Sequence, residues 1–266
     1  MKISLKGMLS QSRLLIGMTT QHVTQPWLAR LWKQSGCDFV YLEYEHAFFS
    51  EGQLADFVLC CRSEGLPVVA KVPECSRTYV AKLLDCGVIG IQLPWTETKE
   101  QIDRLVSYVK FPPLGIRAAC PGWGNSDYDL DVDGRQFIEE ANRETVILAH
   151  VETRRGVEKI DEILVNPQID IVMVGTYDLS VSVGHPGQFE HPDLSAQIER
   201  VIAVGSKYNK VIGIWPPTPD FARRWFKKGV TFFETASEVD LIGQGARRLV
   251  REFRSVTEGV ECGSKR

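Results

Sequence analysis

Short apolar runs alternate along the chain with longer segments in which apolar residues recur at helical spacing. That alternation is typical of a parallel sheet whose strands are joined by crossover helices. The pattern predicts eight strands, at 14–18, 39–42, 67–71, 88–93, 146–151, 169–174, 211–214 and 230–235. It predicts eight helices, at 26–34, 51–64, 78–85, 99–109, 154–164, 192–208, 220–228 and 238–254. Eight such units indicate an α/β fold of the (β/α)8 TIM-barrel type. A doubly wound open sheet is the rival fold, but no glycine fingerprint follows the first strand.

One segment, at about 111–141, lacks apolar periodicity and is rich in Pro, Gly and Asp. Long irregular insertions in compact domains are commonly lids or interaction loops. We therefore expect a single catalytic barrel domain over 1–256 that contains this insertion. The polar stretch 257–266 predicts a disordered tail.

The composition of the chain argues against several classes of protein. The 266 residues carry a formal net charge of -3, so no basic field is available to attract nucleic acid. No apolar run approaches the length of a membrane span, and the N-terminus lacks the pattern of a signal peptide. The seven cysteines are scattered without the spacing of a disulfide framework or a zinc knuckle. We expect a cytoplasmic protein that acts on small molecules.

Active sites of TIM barrels lie at the carboxyl ends of the strands. The polar residues at those ends are few, namely Glu43, Glu45, His46, Lys71, Glu152 and Asp178. Glu152 and Asp178 are the candidate ligands of a divalent metal, because two hard oxygen donors suit Mg²⁺ or Mn²⁺. The structural alternative is that Glu152 pairs with Arg154 or Arg155 and that Asp178 caps a helix.

Two further side chains of the rim suit catalysis. His46 is a candidate general base, and Asp85, which could reach it across a subunit boundary, is a candidate orienting partner. A histidine that bridges two loops is the structural alternative. Lys71 ends an otherwise apolar strand and could bind a substrate carboxylate or enolate oxygen. It could also form the Schiff base of a metal-free aldolase.

The strand exit at Gly175, Thr176 and Tyr177 could receive a substrate carboxylate on its backbone N–H groups. His150 precedes Glu152 by two residues, so the two side chains should face the same way. His150 is a candidate contact to the site, and a core histidine is the equal alternative.

The sequence resembles the HpcH/HpaI aldolase family, the class II pyruvate aldolases. The resemblance extends over nearly the whole chain and rests on segments that occur in family order. These are DFVYLEYEHA (38–47), VVAKVPE (68–74), LLDCGVIGIQLPWTET (83–98), FPPLGIR (111–117), HVET (150–153) and VGTYDLSVSVGHPGQFEHP (174–192).

The resemblance implies roles for these residues. The residues matching Glu152 and Asp178 bind the metal, with Co²⁺ as a further option, and the keto acid chelates it. His46 acts as base with an Asp85 donated by a neighbouring subunit, while amides near Tyr177 take the substrate carboxylate. It also implies a homo-oligomer, a hexamer, acting on a keto acid and an aldehyde.

Two departures from the family pattern keep other functions open. The family usually has Arg at the position of Lys71 and commonly Gln at that of His150, so the reaction itself could differ. The first hypothesis is a carbon–carbon lyase acting on a 4-hydroxy-2-keto acid through a pyruvate enolate. The second is a condensing enzyme that joins acetyl-CoA to a keto acid such as oxaloacetate. The third is a keto-acid-binding protein without turnover.

Overall fold

The computed structural model describes residues 4–11 and 13–256. Eight parallel strands form a closed barrel in sequence order, and the last strand pairs with the first. The strands are β1 (Leu15–Thr20), β2 (Phe39–Glu43), β3 (Val68–Lys71), β4 (Gly90–Leu93), β5 (Val146–Val151), β6 (Ile171–Val174), β7 (Val211–Ile214) and β8 (Phe232–Ser237). The prediction of a (β/α)8 TIM barrel is confirmed, and the open sheet is excluded.

Helices surround the barrel. They are α1 (Leu5–Leu9), α2 (Pro26–Gln34), α3 (Glu51–Ser63), α4 (Arg77–Asp85), α5 (Lys99–Val109), α6 (Gly134–Glu144), α7 (Arg154–Glu158), α8 (Ile160–Leu164), α9 (Thr176–Ser182), α10 (Pro192–Lys207), α11 (Pro219–Phe226) and α12 (Glu238–Ser255). A short 3-10 helix spans Gly124–Ser126. None of the helices in the described parts of the chain has the length and apolar character that crossing a bilayer would require.

Local chemistry explains where several helices begin. At the start of α5, Thr98 accepts the N–H of Gln101 while the Gln101 side chain accepts the N–H of Thr98. Such a reciprocal capping box satisfies two donors that the first helical turn leaves free. Ser50 and Gln53 form the same motif at α3. Helix α2 has Pro26 at its first position, where a missing N–H costs nothing.

The apolar core has two layers. One fills the barrel, where the rings of Phe39 and Phe232 stack with centroids 4.2 Å apart. This packing requires glycine at position 17, because a Cβ there would lie 2.2 Å from the Phe39 ring. The other layer lies between the strands and the outer helices and includes Trp225 and Phe57, both fully buried. The two layers hold the strand ends in fixed positions around the barrel mouth.

The structure differs from the predicted elements in four places. The predicted helix 154–164 is two helices, because the backbone leaves helical geometry at Lys159 (φ -96°, ψ 11°). Helix α6 ends the segment that was predicted to be irregular, where Asp133 caps its first turn. Helices α1 and α9 were not predicted. The predicted disordered tail, 257–266, lies outside the described residues.

The insertion after α5 lies at the amino ends of the strands, since it connects the end of one outer helix to the start of β5. Gly124 packs so closely on α4 that a Cβ there would meet the Cys86 carbonyl oxygen at 2.3 Å. Asn125 donates to Asp85 at 3.1 Å. The insertion therefore does not shape the mouth of its own barrel, where it could have been expected to alter substrate access.

Candidate active site

Charged residues lie at or just after the carboxyl ends of four strands, at one rim of the barrel. Glu43 and Lys71 are the last residues of β2 and β3, and they are register partners across the two strands. Glu152 follows β5 directly, and Asp178 lies in the first turn of α9, just after β6. Because parallel strands end at the same side of a barrel, these side chains converge on its mouth.

Lys71 is held between two carboxylates. Its Nζ lies 2.8 Å from Oε2 of Glu43 and 2.8 Å from Oε2 of Glu45, and its side chain is 6% exposed. Burial opposes the charge of Lys71, but the adjacent Glu43 carboxylate and the two hydrogen bonds outweigh it, and the pKa is raised above its ordinary value. The lysine is therefore an ammonium. A Schiff-base lysine must be neutral to attack a carbonyl, so this arrangement argues against that mechanism.

Glu152 is almost fully buried, with 2% of its surface exposed. One carboxylate oxygen accepts the Trp95 N–H at 2.7 Å, and the other lies 3.5 Å from Nδ1 of His150. Burial raises the pKa of Glu152, although the Trp95 N–H and the Lys71 charge oppose that rise. Of the two arginines that could have paired with Glu152, Arg154 and Arg155, the second pairs with another acid, Glu97.

The Asp178 carboxyl lies close enough to Glu152 for the two charges to repel. Partial desolvation and then the Glu152 charge raise the pKa of Asp178, while Lys71 lowers it. Asp178 is not the helix cap, because the N-cap position of α9 belongs to Gly175. Two repelling carboxylates in an acid-rich mouth fit a divalent cation, which would relieve that repulsion with the oxygen ligands it prefers. Glu152 and Asp178 are thus the residues able to hold one.

Gly175 makes this arrangement possible. A Cβ at this position would lie 2.6 Å from Nε2 of His150 and 2.7 Å from Oε2 of Glu152. Only glycine leaves both side chains where they are. The expectation that Gly175, Thr176 and Tyr177 form a tight strand exit is refined, since the last two open α9, whose first N–H groups have no partners within the helix.

His150 lies below the mouth in a buried polar network. Burial, followed by the charge of Lys71, lowers the pKa of His150 to about 3, so its ring is neutral. Its Nδ1 is 3.3 Å from Nε2 of Gln92, which also lies 3.2 Å from the Tyr41 hydroxyl and 3.5 Å from Oε2 of Glu234. Burial also raises the pKa of Glu234 well above its ordinary value, although the Lys71 charge opposes that rise.

Sequence reasoning missed Gln92, Glu234 and Tyr41. The available signal was a polar residue next to apolar residues of a strand, as Gln92 in GIQL of β4 and Glu234 in FFETAS of β8. Such a residue needs a buried partner, and here the partners are residues of other strands that face the same interior.

His46 and Asp85 are not brought together within one chain. The His46 side chain is 64% exposed at the mouth, with Nε2 3.6 Å from Oε2 of Glu45. Asp85 ends α4, which runs antiparallel to the strands, so it lies at the opposite end of the barrel. There it accepts hydrogen bonds from Arg117 at 3.2 Å and Asn125 at 3.1 Å. It also lines an outer-surface cavity of about 470 Å³ with Tyr79.

The closed barrel and its charged mouth define a TIM barrel whose mouth carboxylates are able to hold a divalent cation. Sequence comparison is more specific: the profile of the HpcH/HpaI aldolase/citrate lyase family matches residues 22–243. The chain belongs to this family, as its sequence resemblance predicted. The prediction of an enzyme of the aldolase and lyase class is confirmed, and family membership supports a divalent metal.

Individual relatives agree with this assignment. The chain is 27% identical over 220 residues to the 5-keto-4-deoxy-D-glucarate aldolase of Shigella boydii, covering 83% of this chain and 84% of that protein. The crystal structure of an HpcH/HpaI aldolase from Desulfitobacterium hafniense superposes with a TM-score of 0.91 at 26% identity, covering all of both chains. The citrate synthase SbnG shares the fold, with a TM-score of 0.87 at 22% identity over 97% of this chain and all of that one.

Proposed function

We propose that this enzyme is a divalent-metal-dependent aldolase that cleaves a 4-hydroxy-2-keto acid into pyruvate and an aldehyde. The observation that carries the proposal is the placement of the Glu152 and Asp178 carboxylates at the mouth, where they repel each other beside the ammonium of Lys71. The name of the Shigella boydii relative, an aldolase acting on a deoxy keto sugar acid, supports the same substrate class.

Glu152 and Asp178 would hold the metal, and their oxygen donors favour Mg²⁺ or Mn²⁺, with Co²⁺ as a further option. When bound, the cation would stabilise negative charge that develops on the keto oxygen of the substrate. The Trp95 N–H and His150 keep Glu152 oriented for that task.

The substrate would bind between the lysine and the start of α9. Its carboxylate would accept hydrogen bonds from the free N–H groups of Thr176 and Tyr177, which the close approach of Gly175 to Glu152 brings to the mouth. Lys71 would contribute positive charge near the developing enolate, as a point charge and not as a bidentate fork. His150, being neutral, would supply a hydrogen bond without adding charge.

His46 would act as the base. Its imidazole would take the proton of the substrate 4-hydroxyl, the bond between C3 and C4 would break, and the aldehyde would leave. The electron pair of that bond would pass to the keto group and give the enolate of pyruvate, which then takes a proton at C3. The exposed position of His46 at the mouth supports this role, because the departing aldehyde must reach solvent there.

The orienting partner of His46 would come from another subunit. Asp85 lies far from its own mouth but on an outer surface, where Arg117 and Asn125 hold its carboxylate in place. A neighbouring copy that docks this surface over the mouth would supply Asp85, and the insertion that packs on it would accompany it.

The exposed face of helix α12 supports a homo-oligomer independently of Asp85. The proposed oligomer is a hexamer. The side chains of α12 leave a row of apolar groups in solvent, including Ile242 at 64%, Leu249 at 54% and Phe253 at 71% exposure. Of its side chains, only Glu238 is buried. Exposed apolar surface of this extent on one amphipathic helix marks an interface. The proposed compartment remains the cytoplasm.

Deuterium exchange into the methyl group of pyruvate tests the chemistry, because it requires enolate formation without any aldehyde. We expect exchange with Mg²⁺, Mn²⁺ or Co²⁺, and its loss in Glu152→Ala. Glu97→Gln, which alters another acid near the rim, is the matched control and should retain exchange. Absence of exchange with all three metals would refute the enolate mechanism.

Two further measurements separate the alternatives. Release of free CoA thiol from acetyl-CoA and oxaloacetate would identify the condensing enzyme instead. Metal-dependent binding of pyruvate or oxalate without turnover of any keto acid would identify a binding protein. Lys71→Arg should raise exchange strongly if the native lysine marks an activity shifted away from pyruvate.

A further inference from the structure

A cluster of two histidines and one aspartate lies outside the candidate active site. The potential ligand atoms of His185, His191 and Asp193 all lie within 4.8 Å of one another. The Nε2 atom of His185 is 3.0 Å from Oδ2 of Asp193, and Nδ1 of His191 is 3.8 Å from the same oxygen. Within the described part of the chain, the ion-pair contacts of Asp193 are with these two histidines alone.

The backbone builds the cluster. The loop between α9 and α10 turns at Gly184 and Gly187, whose φ angles of 89° and 72° favour glycine. The Ser180 carbonyl accepts the His185 N–H at 2.8 Å, and the Ser180 hydroxyl accepts the Gly187 N–H at 2.9 Å. His191 then caps α10, its Nδ1 accepting the N–H of Asp193 at 3.2 Å. Both histidines are thereby fixed beside one carboxylate.

The side chains of the cluster are partly open to solvent. The side chains of His185 and His191 are 27% and 29% exposed, and that of Asp193 is 59% exposed. The imidazole rings of His185 and His191 stack with centroids 3.4 Å apart and an angle of 21° between the planes. Because His191 accepts a hydrogen bond at Nδ1, that nitrogen carries its lone pair. A cation could bind this lone pair without loss of a proton from the ring, once the ring rotates and releases the Asp193 N–H.

We infer that this cluster is a second cation site, which binds Zn²⁺ or a chemically similar transition metal. Two imidazole nitrogens and one carboxylate oxygen suit zinc, nickel or cobalt and disfavour Mg²⁺ and Ca²⁺, which prefer oxygen alone. Two ligands of a tetrahedral zinc ion lie about 3.4 Å apart, given metal–ligand bonds of about 2.1 Å. The observed atoms are within reach of that spacing.

Binding requires two changes in the side chains. The stacked rings must rotate apart so that both lone pairs point at one centre. The proton that His185 donates to Asp193 must leave Nε2, and because a protonated imidazole cannot bind a metal, binding should weaken at acidic pH. Water or an external ligand would fill the fourth position.

The site would fasten a loop of the barrel rim. Phe189, in the same loop, packs on Tyr177, the residue before Asp178, with ring centroids 6.2 Å apart. The centroid of the Phe189 ring also lies 6.1 Å from that of Trp215. A metal bound to His185 and Asp193 would tie this loop to the first turn of α10.

Zinc titration of a variant without the first carboxylate pair tests the inference independently of the proposed aldolase function. In the full-length Glu152→Gln/Asp178→Asn protein, calorimetry should find one equivalent of Zn²⁺, and Mg²⁺ should not compete. Adding His185→Gln or His191→Asn should weaken zinc binding by about 10- to 100-fold or more. Asparagine at 191 keeps the helix cap. His22→Gln, at an exposed histidine elsewhere, is the matched control.

A second measurement uses the unaltered protein, so it does not depend on how the variants fold. Zn²⁺ should shift the imidazole NMR signals of His185 and His191 and leave that of His22 in place. Undiminished zinc binding after loss of either histidine would overturn the inference. So would an absence of zinc-induced shifts at both rings. Neither result would bear on whether the enzyme forms a pyruvate enolate.

Discussion

Replacing Lys71 by methionine removes the ammonium that pairs with Glu43 and Glu45 and keeps a similar side-chain volume. The carboxylate of Glu43, 8% exposed, then loses a cation 2.8 Å away, and Glu45, 21% exposed, loses another contact of 2.8 Å. Breaking a buried ion pair in this way costs about 3–5 kcal/mol, because one charge remains without its partner.

The structure places the expected cost at the lower end of that range. Glu43 keeps three other donors: the Glu45 N–H at 2.9 Å, the His46 N–H at 3.2 Å and the Tyr41 hydroxyl at 3.2 Å. We therefore expect Lys71→Met to lower the free energy of unfolding by about 3 kcal/mol at neutral pH. Lys71→Arg, which keeps the charge, should lose less.

The assay is urea denaturation in metal-free buffer at fixed protein concentration, since both metal and oligomer formation shift apparent stability. The loss in Lys71→Met should shrink at acidic pH, where protonation removes the unpaired carboxylate charge. In the native protein the raised pKa of Lys71 stabilises the fold below the ordinary lysine value of 10.5, and this contribution is lost as pH rises further. Lys82→Met, at an exposed pair, should change stability far less.

Two results would refute this reasoning. One is a loss below about 1 kcal/mol at pH 7, the value of an exposed pair. The other is a loss in Lys71→Met no larger than that in Lys82→Met at its exposed pair. Either would mean that Glu43 and Glu45 do not depend on the lysine for their charge balance.

Three further predictions follow from close contacts, burial and exposure. Gly175→Ala should weaken Mn²⁺ binding by about tenfold or more, because its Cβ would displace Glu152. Gly134→Ala has no neighbour within 4 Å of the added carbon, so calorimetry should find Mn²⁺ binding unchanged. Burial lowers the pKa of Lys110 to about 8 from 10.5, so the unfolded chain binds more protons between these values and stability should rise with pH there. Urea denaturation should measure this rise in the free energy of unfolding, which is at most about 3 kcal/mol. If the rise persists in Lys110→Met, it does not come from Lys110. Phe253→Asp should reduce the assembled mass in sedimentation. An unchanged mass would show that α12 is not part of the subunit interface.

Much of the fold could be predicted from the sequence. The bounds of β5, β7, α2 and α5 match their predictions, because apolar spacing and caps such as Thr98 are local features. Helix α6 was missed since its apolar face is short, and only Phe137 of its side chains is buried. The stretch after β6 was predicted to be a tight strand exit, and the structure has helix α9 there, beginning at Thr176.

The candidate site could be predicted less completely. Residue types at strand ends identified Glu152, Asp178, Lys71 and His46, because the parallel topology sends every strand end to the same rim. The sequence could not show that Lys71 is paired with both Glu43 and Glu45. Nor could it show that the insertion lies with Asp85 at the far end of the barrel.

The sequence by itself determined the periodicity of the elements, the number of strands and the kinds of charge at the mouth. Those properties depend on residues near one another in the chain. Only the tertiary structure decided which groups meet, as Gln92 meets His150 and Glu234 across 58 and 142 positions. Closing the barrel removes these groups from water, and burial then fixes their charges: His150 becomes neutral while Lys71 stays charged.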